Sequence, residues 1–342
     1  MTDTHPATVD LDALLGRAPT VVDPDASYVT GRRVMVTGAG GSIGSELCRQ
    51  LHQYHPSALI VLDRDETALC RTNLSIHGRH RMDDPNTILA DLRDTRRIVE
   101  IMGEYRPQVV FHAAALKHQP LLERFPGEAV KTNVWGTVTA LIAAAAAGVE
   151  TFVNVSTDKA ADPVCVLGSS KRIGERIVAS VAATTGRRFV SVRFGNVLGS
   201  RGSVVDTFTA QAAAGLPLTV THPNVTRYLM TVGEAVALVV HAGAIGQPGQ
   251  ALVLDMGDPV RILDLARAIA PTARIVYTGL LPGERLAERL LGEDEVGEPS
   301  GHKIITRVAV PPLDPIATVG LDPWGDPGMV AGRLLELCRE GP

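Results

Sequence analysis

Three side chains in a row, Thr157, Asp158 and Lys159, put a hydroxyl, a carboxylate and an ammonium group side by side. These are the parts of a general acid and a general base: a protonated carboxyl gives a proton and a neutral amine takes one. At neutral pH each group starts in the opposite state. Adjacent opposite charges stabilise the ionised forms, whereas withdrawal from water in a cleft pushes both towards neutrality. Groups that interact this strongly titrate as a coupled pair, and chain order leaves the dominant microstate open. A solvated ion pair in a loop would use the same residue types. A second lysine, Lys171, opens an amphipathic stretch in GSSKRIGERIVASVAA, with Leu167 one helical turn before it.

The segment MVTGAGGSIGSEL spaces Gly38, Gly41 and Gly44 as G-x-x-G-x-x-G, with Ser42 and Ile43 inside the turn. Glycines there permit a tight turn and close backbone approach to a pyrophosphate, which then sits at a helix N-terminus. The context agrees: the run follows an apolar strand, opens a helix, and precedes Asp63 at the end of ALIVLD. Asp63 would accept hydrogen bonds from a ribose diol and repel a 2'-phosphate, which favours NAD. Arg64, next to it, would instead attract that phosphate, so NADP is the less favoured alternative. Asp91 and Leu92, after TILA, are placed to meet an adenine ring, although Asp91 would serve equally as a helix cap. Ala113 and Ala114, after QVVF, complete the expected cofactor-binding set. Lys117 and His118 follow in HAAALKHQP, at the carboxyl edge of a strand where α/β sheets bind ligands.

Such groups need a scaffold, and the order of elements supplies one. From Arg32, short apolar runs alternate with amphipathic stretches: RVMVT then IGSELCRQLHQY, ALIVLD then ETALCRTNLSIH, and so on to FVSVRFGN. Parallel strands need crossovers, so this alternation predicts a doubly wound, Rossmann-like α/β sheet covered on both faces. Residues 1–30 read as an N-terminal arm, 31–200 as an NAD-binding domain carrying the catalytic segment, and 201–342 as a smaller mixed domain that mainly binds substrate. The 342 residues carry a net charge of −4 and no basic stripe, which argues against nucleic acid as a partner. Cys48, Cys70, Cys165 and Cys338 lack metal-ligand or disulfide spacing, so no metal is expected. Neither a leader nor a run of ~20 apolar residues is evident, and a cytoplasmic protein without a membrane segment is the expectation.

The strings TGAGGSIGSE, ADLRD, HAAALKHQPLLE, TNVWGT, STDKA, SSKR, RFGNVLGSRGSV, TRYLMT, LDMGDPV and PGER together resemble the UDP-N-acetylglucosamine 4,6-dehydratases of bacterial polysaccharide biosynthesis, which are extended short-chain dehydrogenases. The resemblance runs from about Leu11 to about Lys303. In most such enzymes a tyrosine precedes the lysine by one turn, and the ammonium lowers the phenol's pKa so that it acts as a base. Leu167 occupies that position, so either the chain is inactive or the proton chemistry lies with its neighbours. DALLGRAP resembles the approach to the catalytic domain in the long, membrane-attached branch of the family, which also tends to lack the tyrosine. That branch's transmembrane region and extra domain find no match here, and a free-standing catalytic domain is expected.

The resemblance implies NAD-dependent oxidation at carbon 4 of UDP-N-acetylglucosamine, loss of water across carbons 5 and 6, and return of hydride to carbon 6, with configuration at carbon 5 retained. It makes Lys159 the carbon-5 base, Asp158 the acid, Thr157 the hydrogen-bond donor to the carbon-4 oxygen and Lys171 the holder of the nicotinamide ribose. It places Lys117 and His118 beside nicotinamide and sugar, and counts Asn133 with the substrate set as an organiser of the active-site helix. Asn196, Arg201, Arg227, Glu284 and Arg285 resemble the family's UDP-sugar cleft, where arginine suits diphosphate and glutamate suits ribose hydroxyls. A homodimer is expected by analogy, through the alanine-rich helix around Ala143 and the helix after Lys171. Two other readings are a UDP-N-acetylhexosamine 4-epimerase, which normally keeps the tyrosine, and a non-catalytic nucleotide-sensing protein, which would have little reason to keep Thr157, Asp158, Lys159 and Lys171 together.

Overall fold

The computed structural model describes residues 14, 15, 17, 18, 20, 22–79 and 81–340. Residues 1–13, 16, 19 and 21 of the expected arm lie outside the described residues.

The first half alternates strand and helix as its apolar runs require: β1 (Arg33–Thr37), α1 (Ser42–Gln53), β2 (Ala58–Asp63), α2 (Glu66–His77), β3 (Thr87–Leu89), α3 (Thr95–Tyr105), β4 (Val109–His112) and α4 (Gln119–Arg124). A π-helix, Val130–Trp135, runs into α5 (Gly136–Ala146), followed by β5 (Thr151–Val155), α6 (Val166–Thr185), β6 (Arg188–Arg193), β7 (Asn196–Leu198) and α7 (Val204–Ala213). Then come β8 (Leu218–Val220), β9 (Thr226–Arg227), β10 (Leu229–Thr231), α8 (Val232–Ile245), β11 (Gln250–Leu254), β12 (Val260–Arg261) and α9 (Ile262–Ile269). The chain ends with β13 (Ile275–Tyr277), β14 (Gly297–Pro299), β15 (Ile305–Ala309) and α10 (Pro327–Arg339). Helix starts follow local chemistry: Asp65 caps α2 by accepting from Ala68 N, and Asp94 caps α3 through Arg97 N.

Nine strands form one sheet in the order β14-β15-β11-β6-β5-β4-β1-β2-β3, parallel except that β15 runs antiparallel to both of its neighbours. The direction of winding reverses between β1 and β4, where Thr37 pairs with His112. A crevice at such a reversal is where open α/β sheets bind ligands. Side chains alternate across the sheet. Met35 joins a core with α3, α5, α6 and α10, while Val34 and Val36 join a second core with α1 and α8.

The later residues divide in a way their spacing did not reveal. The pairs β7·β10, β8·β13 and β9·β12, with α7 and α9, enclose a third, smaller core around Phe208 and Leu265. Strands β11, β14 and β15 return to the main sheet, α8 packs on α1, and α10 packs on α6. Ahead of β1, Ala26, Tyr28 and Val29 pack into the second core, and the Tyr28 hydroxyl donates to Val240 O at 2.8 Å. Apolar residues with no helical or strand period still bury against the sheet, which is why this stretch read as an arm. Helix α6 is buried around most of its circumference within the single chain, and Arg176 on it donates to the carbonyls of Leu337 and Cys338 on α10. The face of α6 under α10 is therefore closed to a second copy. Among the described residues no helix is long and apolar enough to cross a membrane.

Candidate active site

The glycine loop after β1 is built so that side chains are excluded. Gly38 has φ +69°, and a Cβ there would lie 2.6 Å from Ala114 Cα; one on Gly44 would lie 2.0 Å from Gly38 O. Helix α1 begins at Ser42 without a side-chain cap, so the amides of its first turn face the open end of the crevice. Asp63 secures the loop from β2, its Oδ2 accepting from Gly40 N at 2.8 Å and its Oδ1 from Asp65 N at 3.0 Å. Arg64 and Asp91 face each other at 3.7 Å, both half-exposed at the rim. Leu92 is buried in the core behind them. Ala113 is tied to the end of β1 through its amide, which donates to Thr37 O at 3.0 Å.

A polar chain runs beneath this loop. Thr137 donates to Asn133 O at 2.6 Å, so towards His112 Nε2, 3.1 Å away, it accepts. His112 therefore carries its proton on Nε2, and its Nδ1 accepts from Thr37 Oγ1 at 2.8 Å. Burial pushes the imidazole down to about 3, with the Lys171 charge adding to the effect, so His112 is neutral at any working pH. Asn133, counted with the substrate set as an organiser of the active-site helix, ties that helix to the loop after β4. Its Oδ1 accepts from Leu116 N at 2.8 Å and its Nδ2 donates to Leu116 O and Ser170 Oγ, each at 3.0 Å. Both amide hydrogens are committed and the residue is 1% exposed, so Asn133 joins the loop after β4 to α6 and has no donor left for a ligand.

Lys171 is 6% exposed, and no described residue takes a hydrogen bond from its ammonium. Burial pulls its pKa down to about 8, against the opposing charge of Glu175 one turn on. An unpaired buried ammonium is costly, and its position at the reversal point marks it for a ligand. Leu167 packs into the core with Cys165 and Val166. The loss of a phenol there is a loss of chemistry that leaves the helix intact.

Thr157, Asp158 and Lys159 follow β5, the last two inside a single 3-10 turn, Asp158–Ala160. Thr157 donates to Asp158 Oδ1 at 3.0 Å, and Lys159 Nζ lies 3.0 Å from the same oxygen. Asp158 is 1% exposed and its Oδ2 has no hydrogen-bond partner among the described residues. That oxygen faces Gly195, where a Cβ would come within 2.8 Å. Burial alone would lower the pKa of Lys159. Asp158 and then Glu288, at 3.3 Å, outweigh it and hold the ammonium above the ordinary lysine range. Glu288 escaped sequence reasoning because only folding brings residues 284–290 over the turn.

Behind this turn lies an ion network, wholly buried at Glu175 and Arg193, that the sequence also concealed. Ser156 donates to Glu175 Oε1 at 2.6 Å; Arg193 grips Glu175 with Nε at 3.1 Å and Nη2 at 2.7 Å, and Glu295 with Nη1 at 2.6 Å. Arg172 bridges the same two carboxylates. Burial would raise the Glu175 carboxyl, yet Arg193 and then Arg172 bring it down to about 2. The network joins β5, β6, α6 and the segment before β14.

The remaining expected residues fall into two groups. Arg227, Glu284 and Arg285 come together: Arg227 Nη2 donates to Glu284 Oε1 at 2.7 Å, and its Nη1 to Arg285 O at 3.0 Å. Arg201 was expected with them, yet its guanidinium bonds Gly40 O and its amide bonds Ser42 Oγ at 3.0 Å, so it sits over the glycine loop. The loop from Gly199 to Ser203 carries it there, and loop direction is invisible in sequence. Lys117 reaches the same loop, donating to Arg201 O at 2.8 Å, and the His118 ring lies against Gly202. Burial lowers the pKa of both Lys117 and His118. Asn196 opens β7, next to Gly195, and its backbone amide donates to Tyr228 O at 3.0 Å.

Residues 34–310 match the family model described as "Polysaccharide biosynthesis protein". Over 298 residues the chain is 44% identical to the probable polysaccharide biosynthesis protein EpsC of Bacillus subtilis, covering 84% of this chain and 50% of that one. The capsular polysaccharide biosynthesis protein CapD of Staphylococcus aureus is 43% identical with the same coverage. The chain thus spans about half the length of these relatives. A UDP-N-acetylglucosamine 4,6-dehydratase (inverting) of Campylobacter jejuni is 32% identical over 78% of this chain and 79% of its own. Among solved structures, Pen from Bacillus thuringiensis superposes with a TM-score of 0.76 at 29% identity, covering 83% of this chain and 90% of that one. A glycine cradle at the reversal of a doubly wound sheet, a buried lysine on the following helix and these matches lead to one assignment: the chain belongs to the polysaccharide biosynthesis protein family of extended short-chain dehydrogenases.

Proposed function

We propose that this chain dehydrates a UDP-N-acetylhexosamine, UDP-N-acetylglucosamine in the first instance, to the 4-keto-6-deoxy sugar nucleotide with configuration at carbon 5 retained. The observation that carries the reading is the buried turn itself. It presents an unpartnered carboxylate oxygen on Asp158 beside a lysine amine, with leucine where a phenol would otherwise stand. That is equipment for elimination, which needs one group to take a proton and another to give one to a leaving hydroxyl.

The site fits a nicotinamide dinucleotide: the cradle admits no side chain at Gly38 or Gly44 and is tight at Gly41, the first turn of α1 has free amides, and the buried Lys171 ammonium has no hydrogen-bond partner among the described residues. When bound, that group supplies reversible oxidation at the sugar's carbon 4, and the ketone makes the carbon-5 proton acidic. Asp63 and Asp91 favour NAD over NADP, since the carboxylate of Asp91 already faces the Arg64 charge that a 2'-phosphate would need. Lys171 would hold the nicotinamide ribose. Thr157 would turn its hydroxyl from Asp158 to the carbon-4 oxygen, Lys159 would take the carbon-5 proton, and Asp158 would protonate the departing hydroxyl on carbon 6. Arg227, with Glu284 fixed beside it, would take the diphosphate and ribose of UDP.

A second reading, 4-epimerisation, is favoured by one finding: a UDP-glucose 4-epimerase of Rickettsia rickettsii is also 32% identical, over 78% of this chain. Incubation of the purified chain with NAD and UDP-N-acetylglucosamine in heavy water separates the two. Dehydration yields a product lighter by one water with deuterium at carbon 5. An isomer of unchanged composition makes the protein an epimerase, and the absence of any turnover ends both readings.

A further inference from the structure

Lys159 is pinned from two sides. Its Nζ lies 3.0 Å from Asp158 Oδ1 on its own turn and 3.3 Å from Glu288 Oε1, and the three side chains are 13%, 0% and 5% exposed. Two arginine clamps put Glu288 there. Arg227 Nη1 donates to the carbonyls of Arg285 and Leu286, at 3.0 and 3.4 Å, and Arg193 Nη1 donates to the carbonyl of Leu290 at 3.1 Å. Between those fixed points Glu288 meets Lys159, its only ionic partner among the described residues. A carboxylate this deep is costly unless paired. The other charged and titratable groups around Lys159 are Arg227, which opposes its positive charge, and the Cys165 thiol at the start of α6, which burial holds up to about 11 and so neutral.

We infer that Glu288 is a positioning residue for proton abstraction: its carboxylate holds the Lys159 amine beside Asp158 and sets how strongly that amine retains a proton. The inference rests on Lys159 being the base in the proposed dehydration. At rest the trio carries two carboxylates and one ammonium. Transfer of one proton from Lys159 Nζ to Asp158 Oδ1 leaves a neutral amine and a neutral acid, which are the forms elimination requires. The amine then takes the proton from carbon 5, the electrons of that bond become the second bond between carbons 5 and 6, and the hydroxyl leaves carbon 6 with the acid's proton as water. Ammonium and carboxylate are thereby restored. Glu288 favours the ammonium at both ends of the cycle, which makes Lys159 a stronger base and sets the pH above which the trio loses the proton that Asp158 must give.

NMR titration of the Lys159 side chain in the 342-residue chain, without substrate, reads this trio independently of turnover. Wild type is compared with Glu288→Gln and Glu288→Asp. The expected result is a Lys159 midpoint lowered by about one pH unit in Glu288→Gln and by less in Glu288→Asp. In the dehydration assay, the alkaline limb of kcat/KM moves down by the same amount in Glu288→Gln and the plateau falls several-fold, with NAD affinity unchanged. A midpoint that stays put in folded Glu288→Gln overturns the inference, as does an equal loss of rate at every pH. Should Glu288→Gln fail to fold, wild type against Glu288→Asp still decides: a lowered midpoint supports the inference and an unchanged one overturns it. A protein that titrates as expected but dehydrates nothing upholds Glu288's hold on Lys159 and removes only the assigned reaction.

Discussion

At the scale of single residues, Lys171 shows how position converts an ordinary side chain into a site. Its ammonium is buried with no hydrogen-bond partner among the described residues, and burial brings its pKa to about 8. In the unfolded chain the same group titrates near 10.5. Between those values the unfolded chain binds more protons than the folded one, so this lysine makes the apoprotein more stable as pH rises from about 8 to about 10.5. Lys171→Met removes the charge and keeps the length. We expect it to abolish that rise in urea denaturation, to leave the protein at least as stable at neutral pH, and to weaken NAD binding about ten- to a hundredfold by loss of charge-assisted hydrogen bonds. Unchanged NAD affinity in isothermal titration would remove Lys171 from the cofactor site. Leu167 belongs at this scale too: it fills core volume where a phenol would project chemistry.

At the scale of elements, what anchors the turn carrying Thr157, Asp158 and Lys159 is the ion network that ties the end of β5 and α6 to β6 and to the segment before β14. Glu175 and Arg193 are each fully buried, and removing one partner strands the other's charge. Glu175→Gln should cost about 3–5 kcal/mol. The sign with pH follows from a carboxyl held down to about 2 against an ordinary value of 4.5. Its contribution is present above 4.5 and lost as pH falls towards about 2. The gap in Tm between wild type and Glu175→Gln should therefore close in acid; a gap independent of pH would mean that the glutamate acts through packing alone. The network also fixes Leu290 through Arg193 and thereby helps aim Glu288 at Lys159.

At the scale of the whole molecule, residues far apart in the chain complete one body. Helix α10 covers α6, with Leu334 fully buried among Ile173, Ile177 and their neighbours, so the C-terminal helix acts as the outer wall of the active-site helix. Leu334→Ala should destabilise the fold by about 2–5 kcal/mol in urea denaturation. A loss well under 1 kcal/mol would mean that α10 rests on the surface instead of closing the core. Strands β11, β14 and β15, with α8, likewise return from the second half of the sequence to finish the main sheet and its second core.

What the residues alone determine here are features written locally. The glycine spacing after β1, the acidic end of β2 and the strand-helix alternation depend on neighbours within a few tens of residues, and backbone geometry follows from them directly. The turn carrying Thr157, Asp158 and Lys159 was legible for the same reason. What only the tertiary structure decided are partnerships between distant segments: Glu288 over Lys159, Glu295 on Arg193, Arg201 over the glycine loop in place of the sugar cleft, and Asn133 committed to Leu116 and Ser170. Each depends on where a loop comes to rest once burial and charge pairing have been satisfied together. Those energies belong to three-dimensional neighbours, and a linear order of residues does not list them.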